Sequence, residues 1–269
     1  MKKIEISSWA EFPPVINQIK ADYGEHEIAG IKQRNLILYR GQADYDWRLN
    51  STLERFSPVP WSIESYAQLA LRCGPQVESF TDRNWNLPDY PKVQSDIKTK
   101  SDIFFPHIPC YDFWVYLRHH GFPSPLLDWT MSPYIAAFFA FAEQNAADKL
   151  AIIAYVALPK GTKAGWEGAP QISVQGPYVR THRRHFLQQS WYTVCTKDEG
   201  GSQTFACHED VFGRDDPRQD VLIKISIPRS ERLNALSHLH EVNINHFTLF
   251  QSEEALMKTL AFKEIEMNP

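Results

Sequence analysis

The sequence contains no apolar run of about 18 residues, the length that a membrane-spanning helix needs. Its first residues are polar and lack the apolar region of a secretory signal peptide, so we expect a cytoplasmic protein without membrane contact. The chain has 4 cysteines, and none forms a C-x-x-C pair. This spacing argues against a zinc site and a disulfide framework, so we predict free thiols and no bound metal.

Positive charge and phosphate-binding loops are also lacking. The formal net charge is −4 at pH 7, which gives no support for a globally basic nucleic-acid binder. Neither a G-x-G-x-x-G nor a Walker A sequence occurs, so Rossmann and P-loop folds lose their main support. One local exception is the basic run over 180–185, which could bind the phosphates of a nucleic-acid acceptor; a solvated surface is the alternative.

Apolar and aromatic residues are plentiful: 43% of the chain is hydrophobic and 13% aromatic, which suits a large core. Apolar strand patterns and helical patterns intermingle without a regular alternation. This mixture predicts an α+β fold, with a mixed or antiparallel central sheet flanked by helices. We expect a single domain over 1–269, with a helical lead-in over 1–29, a loop or insertion over 86–109, and a polar loop or hairpin over 196–220.

The stretch Leu-Ile-Leu-Tyr-Arg-Gly-Gln over 36–42 has the pattern of a short strand that ends at an arginine. The guanidinium of Arg40 is a rigid fork of donors that suits phosphate or carboxylate. Gly41 would let the backbone turn sharply or approach a ligand closely. The alternative is that Arg40 pairs with an internal acid such as Asp128. We predict that these two side chains lie within ion-pair or one-water distance.

A second stretch, Leu-Leu-Asp-Trp-Thr-Met-Ser over 126–132, leads into the strongly apolar segment 133–143. An apolar segment of this kind is typical of a buried helix, and the N–H groups at a helix N-terminus favour anions. Asp128 is therefore either a site residue or a structural anchor for Arg40. Thr130 and Ser132 could act in a site, although helix capping also explains them.

Together with Asp46-Trp47-Arg48-Leu49 and His120-Gly121, these two stretches resemble the FRG domain, which is named after its Phe/Tyr-Arg-Gly signature. The resemblance extends over about residues 30–260. Pro125 stands where that family usually has arginine. Ser190 follows the paired glutamines Gln188-Gln189, where the family usually has glycine. The resemblance alone implies little chemistry, because the function of the FRG family is poorly defined.

A more distant similarity to ADP-ribosyltransferases implies more. In those enzymes an arginine or histidine on the first core strand holds NAD, a Ser/Thr-rich motif precedes a helix, and a catalytic Glu or Gln comes late in the chain. The similarity is at the level of the fold, so it is an analogy. Carried onto this sequence, the three roles fall on Arg40, on Thr130 with Ser132, and on Gln189, Glu241 or Glu199.

The predicted function is therefore an NAD-dependent mono-ADP-ribosyltransferase of bacterial toxin or phage-defence type that modifies nucleic acid (RNA) or protein. NAD would be its substrate, and an antitoxin or inhibitor protein could be a partner. The alternative is a non-catalytic FRG module that binds a nucleotide or a partner. The predicted catalytic residues are Arg40, Thr130, Gln189 and Glu241, and the predicted ligand-binding residues are Tyr39, Gly41, Gln42, His120, Asp128, Trp129 and Ser132.

Overall fold

A mixed sheet forms the centre of the computed structural model, which describes residues 1–101, 106–143, 145–161, 163, 168–177, 179, 183–213 and 219–267. The strands are β1 (Lys2–Glu5), β2 (Glu25–Ile28), β3 (Ile31–Arg34), β4 (Leu36–Gln42), β5 (Leu127–Thr130), β6 (Lys149–Ala157), β7 (Gln171–Gln175), β8 (Ser190–Glu199), β9 (Ser202–Phe205) and β10 (Val221–Pro228). The central sheet has the order β1-β10-β6-β4-β5-β8-β7, with β9 paired to β8, while β2 and β3 form a separate hairpin. Strand β1 runs parallel to β10, and the other pairs are antiparallel. The predicted α+β fold with a mixed sheet is confirmed.

Helices cover the sheet and continue its core. They are α1 (Phe12–Tyr23), α2 (Thr52–Phe56), α3 (Ile63–Thr81), α4 (Tyr90–Lys100), α5 (Tyr111–His119), α6 (Pro133–Ala142), α7 (Arg183–Leu187), α8 (Arg232–Glu241), α9 (His246–Phe250) and α10 (Glu253–Ala261). Strand β6 is buried from residue 150 to 156, because helices and loops pack on both of its faces. In the described ranges, no helix combines the length and apolarity that a membrane span would need.

Helix α6 is the buried helix that the apolar segment 133–143 predicts. The hydroxyl of Ser132 accepts a hydrogen bond from the Ile135 N–H, and Pro133 occupies the first turn, where a missing N–H costs nothing. The helix lies directly against β4 at Gly41. A Cβ added there would stand 2.0 Å from the carbonyl oxygen of Ala136. Gly41 therefore allows the strand to approach a helix backbone, which is a different role from the predicted approach to a ligand.

Three predicted segments differ in detail from the structure. The lead-in over 1–29 contains α1 as expected, but it begins with β1 and ends in β2. The loop predicted over 86–109 is wrong at α4, whose first turn holds Pro91 and is capped by the side chain of Asp89. Proline breaks a helix interior, but it is favoured in the first helical turn, where Pro91 lies. In the segment 196–220, β8 and β9 form the predicted hairpin, and residues 214–218 lie outside the described part.

We predict that Gly41→Ala destabilises the protein by about 3 kcal/mol, because the new methyl group would overlap backbone atoms that cannot rotate away. Urea unfolding of the variant measures the loss. Gly213→Ala is the matched control, because a Cβ at Gly213 would meet no atom of the described residues within 4 Å. Equal stability of the two variants would show that α6 does not pack against β4 in this way.

Candidate ligand-binding site

Arg40 lies where β4 and β5 separate. Within the described chain, the register between these strands consists of a single pair, Tyr39 with Thr130. Beyond that pair, Nη1 of Arg40 donates to the backbone carbonyl of Asp128 at 2.7 Å and lies 3.6 Å from its carboxylate oxygen Oδ2. The guanidinium thus satisfies a carbonyl where backbone pairing between the strands has stopped. The predicted proximity of Arg40 and Asp128 is confirmed.

The main partner of the Asp128 carboxylate is Arg118, in the last turn of α5. Its Nε donates to Oδ1 of Asp128, and its Nη2 donates to Oδ2 at 2.6 Å. Its Nη1 donates to the hydroxyl of Thr52 at 2.8 Å. This two-point contact is the strong form of an arginine–carboxylate pair. The sequence analysis missed Arg118. The available signal was its position at the end of a helical pattern, one loop before Asp128.

The cluster carries one more positive charge than negative charge. The side chains of Arg40 and Arg118 are only 14% and 12% exposed, whereas that of Asp128 is 44% exposed. Burial alone would raise the pKa of Asp128, but Arg118 and Arg40 outweigh it and hold that pKa well below its usual range. Asp128 is therefore ionised at neutral pH. Since one carboxylate faces two buried guanidinium groups, the cluster would be stabilised by an additional anion.

A cavity of about 640 Å³ opens beside this cluster. It is lined by elements that are far apart in the chain, since β4, α5, β5, α6, α7 and α10 all contribute. Cationic and aromatic side chains predominate over carboxylates. The cations are Arg40, Arg118, Arg184 and Lys258; the aromatic groups are Tyr39, Phe138, Phe139 and Phe250; the histidines are His119 and His246; the carboxylates are Asp128, Glu143 and Glu254.

The hydroxyl of Tyr39 and Nε of Arg40 are buried polar atoms of lining residues, and they have no hydrogen-bond partner among the described residues. Tyr39 is only 1% exposed, and burial raises its pKa to about 12, so its phenol is protonated at neutral pH and can donate. A buried polar group without a partner costs about 1–3 kcal/mol. Such groups are rare in folded proteins, and a bound ligand is one way to satisfy them.

The structure brings six of the predicted site residues to this cavity: Tyr39, Arg40, Gly41, Asp128, Trp129 and Thr130. The side chain of Trp129 differs from those of the other five residues. Its indole is buried in a core cluster, where it donates to the hydroxyl of Thr193 at 2.7 Å and packs on Tyr155 at 5.5 Å between ring centroids. The indole is therefore not available to stack on a ligand, contrary to its predicted role.

Three predicted ligand-binding residues do not line the cavity. The amide of Gln42 donates to the carbonyl of Arg48 and so holds the following loop. Ser132 caps α6. His120 is exposed and lies against the ring of Tyr116, with 4.3 Å between ring centroids. These placements favour the structural alternatives for all three residues.

The late catalytic candidates are not brought to the cavity either. Gln189 is exposed and has a φ of 48°, in the left-handed region, while its neighbour Gln188 lines the cavity. Glu241 is exposed at the end of α8. Glu199 lies in the hairpin, where it accepts from Thr204. The predicted convergence of Arg40 and Thr130 with one of these residues is not observed.

Two further predictions concern a bound metal and a nucleic-acid acceptor. Among the described residues, no group of three or more His, Cys, Asp and Glu side chains could hold a metal ion. In the basic run 180–185, Arg180 and His182 lie outside the described residues. Binding of nucleic acid by that run stays a prediction.

The two stretches that meet at the cavity are also those that carry the predicted resemblance. Residues 35–149 match the FRG domain. The match includes Arg40, Arg118 and Asp128, and it supports the predicted relation to the FRG family, whose function is unclear. No curated protein and no solved structure matches the chain. The similarity to ADP-ribosyltransferases stays a prediction.

We predict that Asp128→Asn destabilises the protein by about 3 kcal/mol at neutral pH, because it leaves Arg40 and Arg118 buried without a counter-charge. The folded pKa of Asp128 is depressed, so its contribution is complete above the unfolded value of about 4 and is lost as pH falls through the folded value. The stability difference between wild type and variant should thus be constant near neutral pH and shrink below about pH 4.

Thermal unfolding from neutral to strongly acidic pH measures this difference. Asp22→Asn is the control, since Asp22 is an exposed residue of α1, and its replacement should change stability by less than about 0.5 kcal/mol. A difference for Asp128→Asn that persists unchanged at low pH would contradict the ion-pair explanation.

Proposed function

We propose that the cavity beside Arg40 binds a phosphate-bearing nucleotide, with NAD as the first candidate. The observation that carries the proposal is a pair of buried donors on residues that line the cavity, the Tyr39 hydroxyl and Nε of Arg40. Neither donor has a hydrogen-bond partner among the described residues. A ligand with several acceptor oxygens would satisfy both donors. A diphosphate supplies such oxygens, and it supplies the negative charge that the Arg40–Asp128–Arg118 cluster lacks.

The aromatic part of the cavity lining suits a flat ring. Phe138, Phe139 and Phe250 contribute apolar surface, and His246 lies edge-on to Phe138 at 4.9 Å between ring centroids. Aromatic walls of this kind can hold a nucleobase or a nicotinamide ring by offset or edge-on contact. The cavity volume of about 640 Å³ falls within the range of about 300–1,000 Å³ that is usual for small-molecule sites.

We predict opposite effects of Tyr39→Phe on stability and on binding. The free protein should be as stable as wild type or more stable, because the variant removes a buried hydroxyl that has no partner among the described residues. NAD affinity should fall by about 1 kcal/mol, or roughly fivefold, because one hydrogen bond to the ligand is lost. Thermal unfolding and calorimetric titration with NAD measure the two effects.

Tyr155→Phe is the matched control. Its hydroxyl donates to the carboxylate of Asp220 at 2.7 Å in a buried site that does not line the cavity. That variant should lose stability and keep its NAD affinity. If Tyr39→Phe behaves like this control, the Tyr39 hydroxyl does not contact the ligand.

Turnover of the bound NAD is the second candidate function. It is favoured by the carboxylates of Glu143 and Glu254, which line the same cavity as Arg40 and Thr130. In ADP-ribosyl transfer the bond from ribose to nicotinamide breaks, nicotinamide leaves, and an acceptor takes the ADP-ribosyl group. An anionic side chain near the ribose would stabilise the cation-like centre that develops. The acceptor would be RNA or protein, as expected of a toxin or defence enzyme.

We predict that Arg40→Lys keeps the fold but weakens NAD binding by about 1.5–3 kcal/mol, because an ammonium group cannot reproduce the two-point contact of a guanidinium. NAD labelled in its adenylate part, incubated with the protein and a bacterial lysate, measures turnover in parallel. Label transfer by wild type that is reduced in the variant supports the enzymatic candidate. Tight binding without any nicotinamide release would leave a binding module as the function.

A further inference from the structure

A second cavity, of about 480 Å³, adjoins the one beside Arg40. It is formed by α6, α8 and α10 together with the start of α9. The residues that line both cavities are Phe138, Ala142, Glu143, His246 and Lys258. Two of them, Glu143 and Lys258, are exposed, so the boundary between the cavities is open to solvent at their side chains.

The wall of the second cavity suits a nucleobase. Leu236, Ile244 and Phe262 provide apolar surface, and the ring of His240 lies 6.3 Å from that of Phe262 between centroids. Nδ1 of His240 is buried and has no hydrogen-bond partner among the described residues. An imidazole nitrogen donates or accepts according to the tautomer, and the edge of a base offers groups of both kinds.

The charges of the second cavity are balanced, unlike those of the cluster around Arg40. Arg232 forms an ion pair with Glu266, which leaves one carboxylate, Glu143, and one ammonium group, Lys258. Burial lowers the pKa of His246, and Lys258 and Arg232 lower it further, so that ring is uncharged at neutral pH. The second cavity therefore suits an uncharged group, whereas the cluster suits an anion.

Glu143 stands between these two environments. It is the residue at which α6 ends, and its backbone carbonyl accepts a hydrogen bond from Nη1 of Arg229 at 3.3 Å. Its backbone is thus anchored, while its exposed side chain lines both cavities. In a dinucleotide a ribose lies between the diphosphate and each base. A carboxylate is a common partner of ribose hydroxyls in dinucleotide sites, and it would repel a phosphate at the ribose 2′ position.

We propose that the second cavity holds the adenosine half of a dinucleotide whose diphosphate lies at the Arg40–Asp128–Arg118 cluster, and that Glu143 binds the hydroxyl groups of the adenosine ribose. The nicotinamide half then stays in the cavity beside Arg40. The ligand class is a dinucleotide with an unmodified ribose, so NAD binds more tightly than NADP. This inference rests on the proposed nucleotide-binding function.

Filling the second cavity tests whether a ligand occupies it. Ala261 is an exposed residue at the end of α10 that lines the second cavity and not the first. Ala261→Trp should reduce NAD affinity at least about tenfold in calorimetric titration, because the indole takes the space of the base. Inorganic diphosphate, which needs only the cluster, should bind the variant as it binds wild type. Ala21→Trp is the matched control, since Ala21 is an exposed residue of α1 that lines neither cavity.

The role of Glu143 is tested by the ratio of NAD to NADP affinity. In wild type we expect NAD to bind about tenfold more tightly than NADP, because a 2′-phosphate would lie against the carboxylate. Glu143→Gln keeps a hydrogen-bonding group for the ribose but removes the repulsion, so the ratio should approach one. A role of Glu143 in stability alone would weaken both ligands equally and leave the ratio unchanged. Glu241→Gln is the control, because Glu241 is exposed at the end of α8 and lines neither cavity.

The outcomes separate this inference from the proposed function. If wild type binds NAD and Ala261→Trp binds it equally well, or loses NAD and diphosphate alike, the second cavity is not the adenosine site and this inference alone fails. It also fails if wild type binds NAD but not diphosphate, or if Glu143→Gln keeps the wild-type ratio of affinities. If wild type does not bind NAD, the proposed function fails, and the assignment of the second cavity fails with it.

Discussion

The carboxylate of Asp128, held between Arg118 and Arg40, is the interaction on which the rest of the site depends. It joins the end of α5 to the point where β4 and β5 separate. Where the strands stop pairing, the guanidinium of Arg40 takes over the Asp128 carbonyl. This contact places one carboxylate between two buried cations. The interaction that holds the elements together therefore leaves an excess of one positive charge, which an additional anion would neutralise.

At Asp128, the stability of the protein and the proposed ligand binding depend on the same side chain. At Tyr39 the two can be changed separately. Any change at Asp128 alters the join between elements as well as the charge that a ligand meets. Tyr39 differs, because its ring packs in the core while its hydroxyl has no partner among the described residues. Gly41, the next residue but one, sets how closely α6 approaches β4. Adjacent positions of one strand thus contribute separately to helix packing, to the ion-pair cluster and to the proposed ligand contact.

The sequence was sufficient for the features that depend on local patterns. Apolar runs gave the mixed sheet and buried α6, and the flanks of Arg40 and Asp128 gave their proximity. The opposite orientations of Asp128 and Trp129 could also have been predicted, because successive side chains of a strand point to opposite faces. The position of Arg118 at the end of a helical pattern was a signal in the sequence, but such a pattern does not specify which of its last residues meets a distant strand. Of the paired glutamines, Gln188 lines the cavity and Gln189 does not. Gln189 has a left-handed backbone conformation, which the local pattern does not predict.

The geometry also restricts which residue could act as an acid or base if the bound nucleotide is turned over. Asp128 is poorly suited, because both carboxylate oxygens are engaged by Arg118 and its depressed pKa makes it a weak base. Glu143 and Glu254 are exposed residues that line the cavity, and the carboxylate of Glu254 accepts a hydrogen bond from the hydroxyl of Ser252. His119 lines the cavity, and its Nε2 lies 2.8 Å from the hydroxyl of Tyr192. A reaction in this cavity would accordingly have to use a group other than Asp128, whose carboxylate holds Arg118 and Arg40 in place.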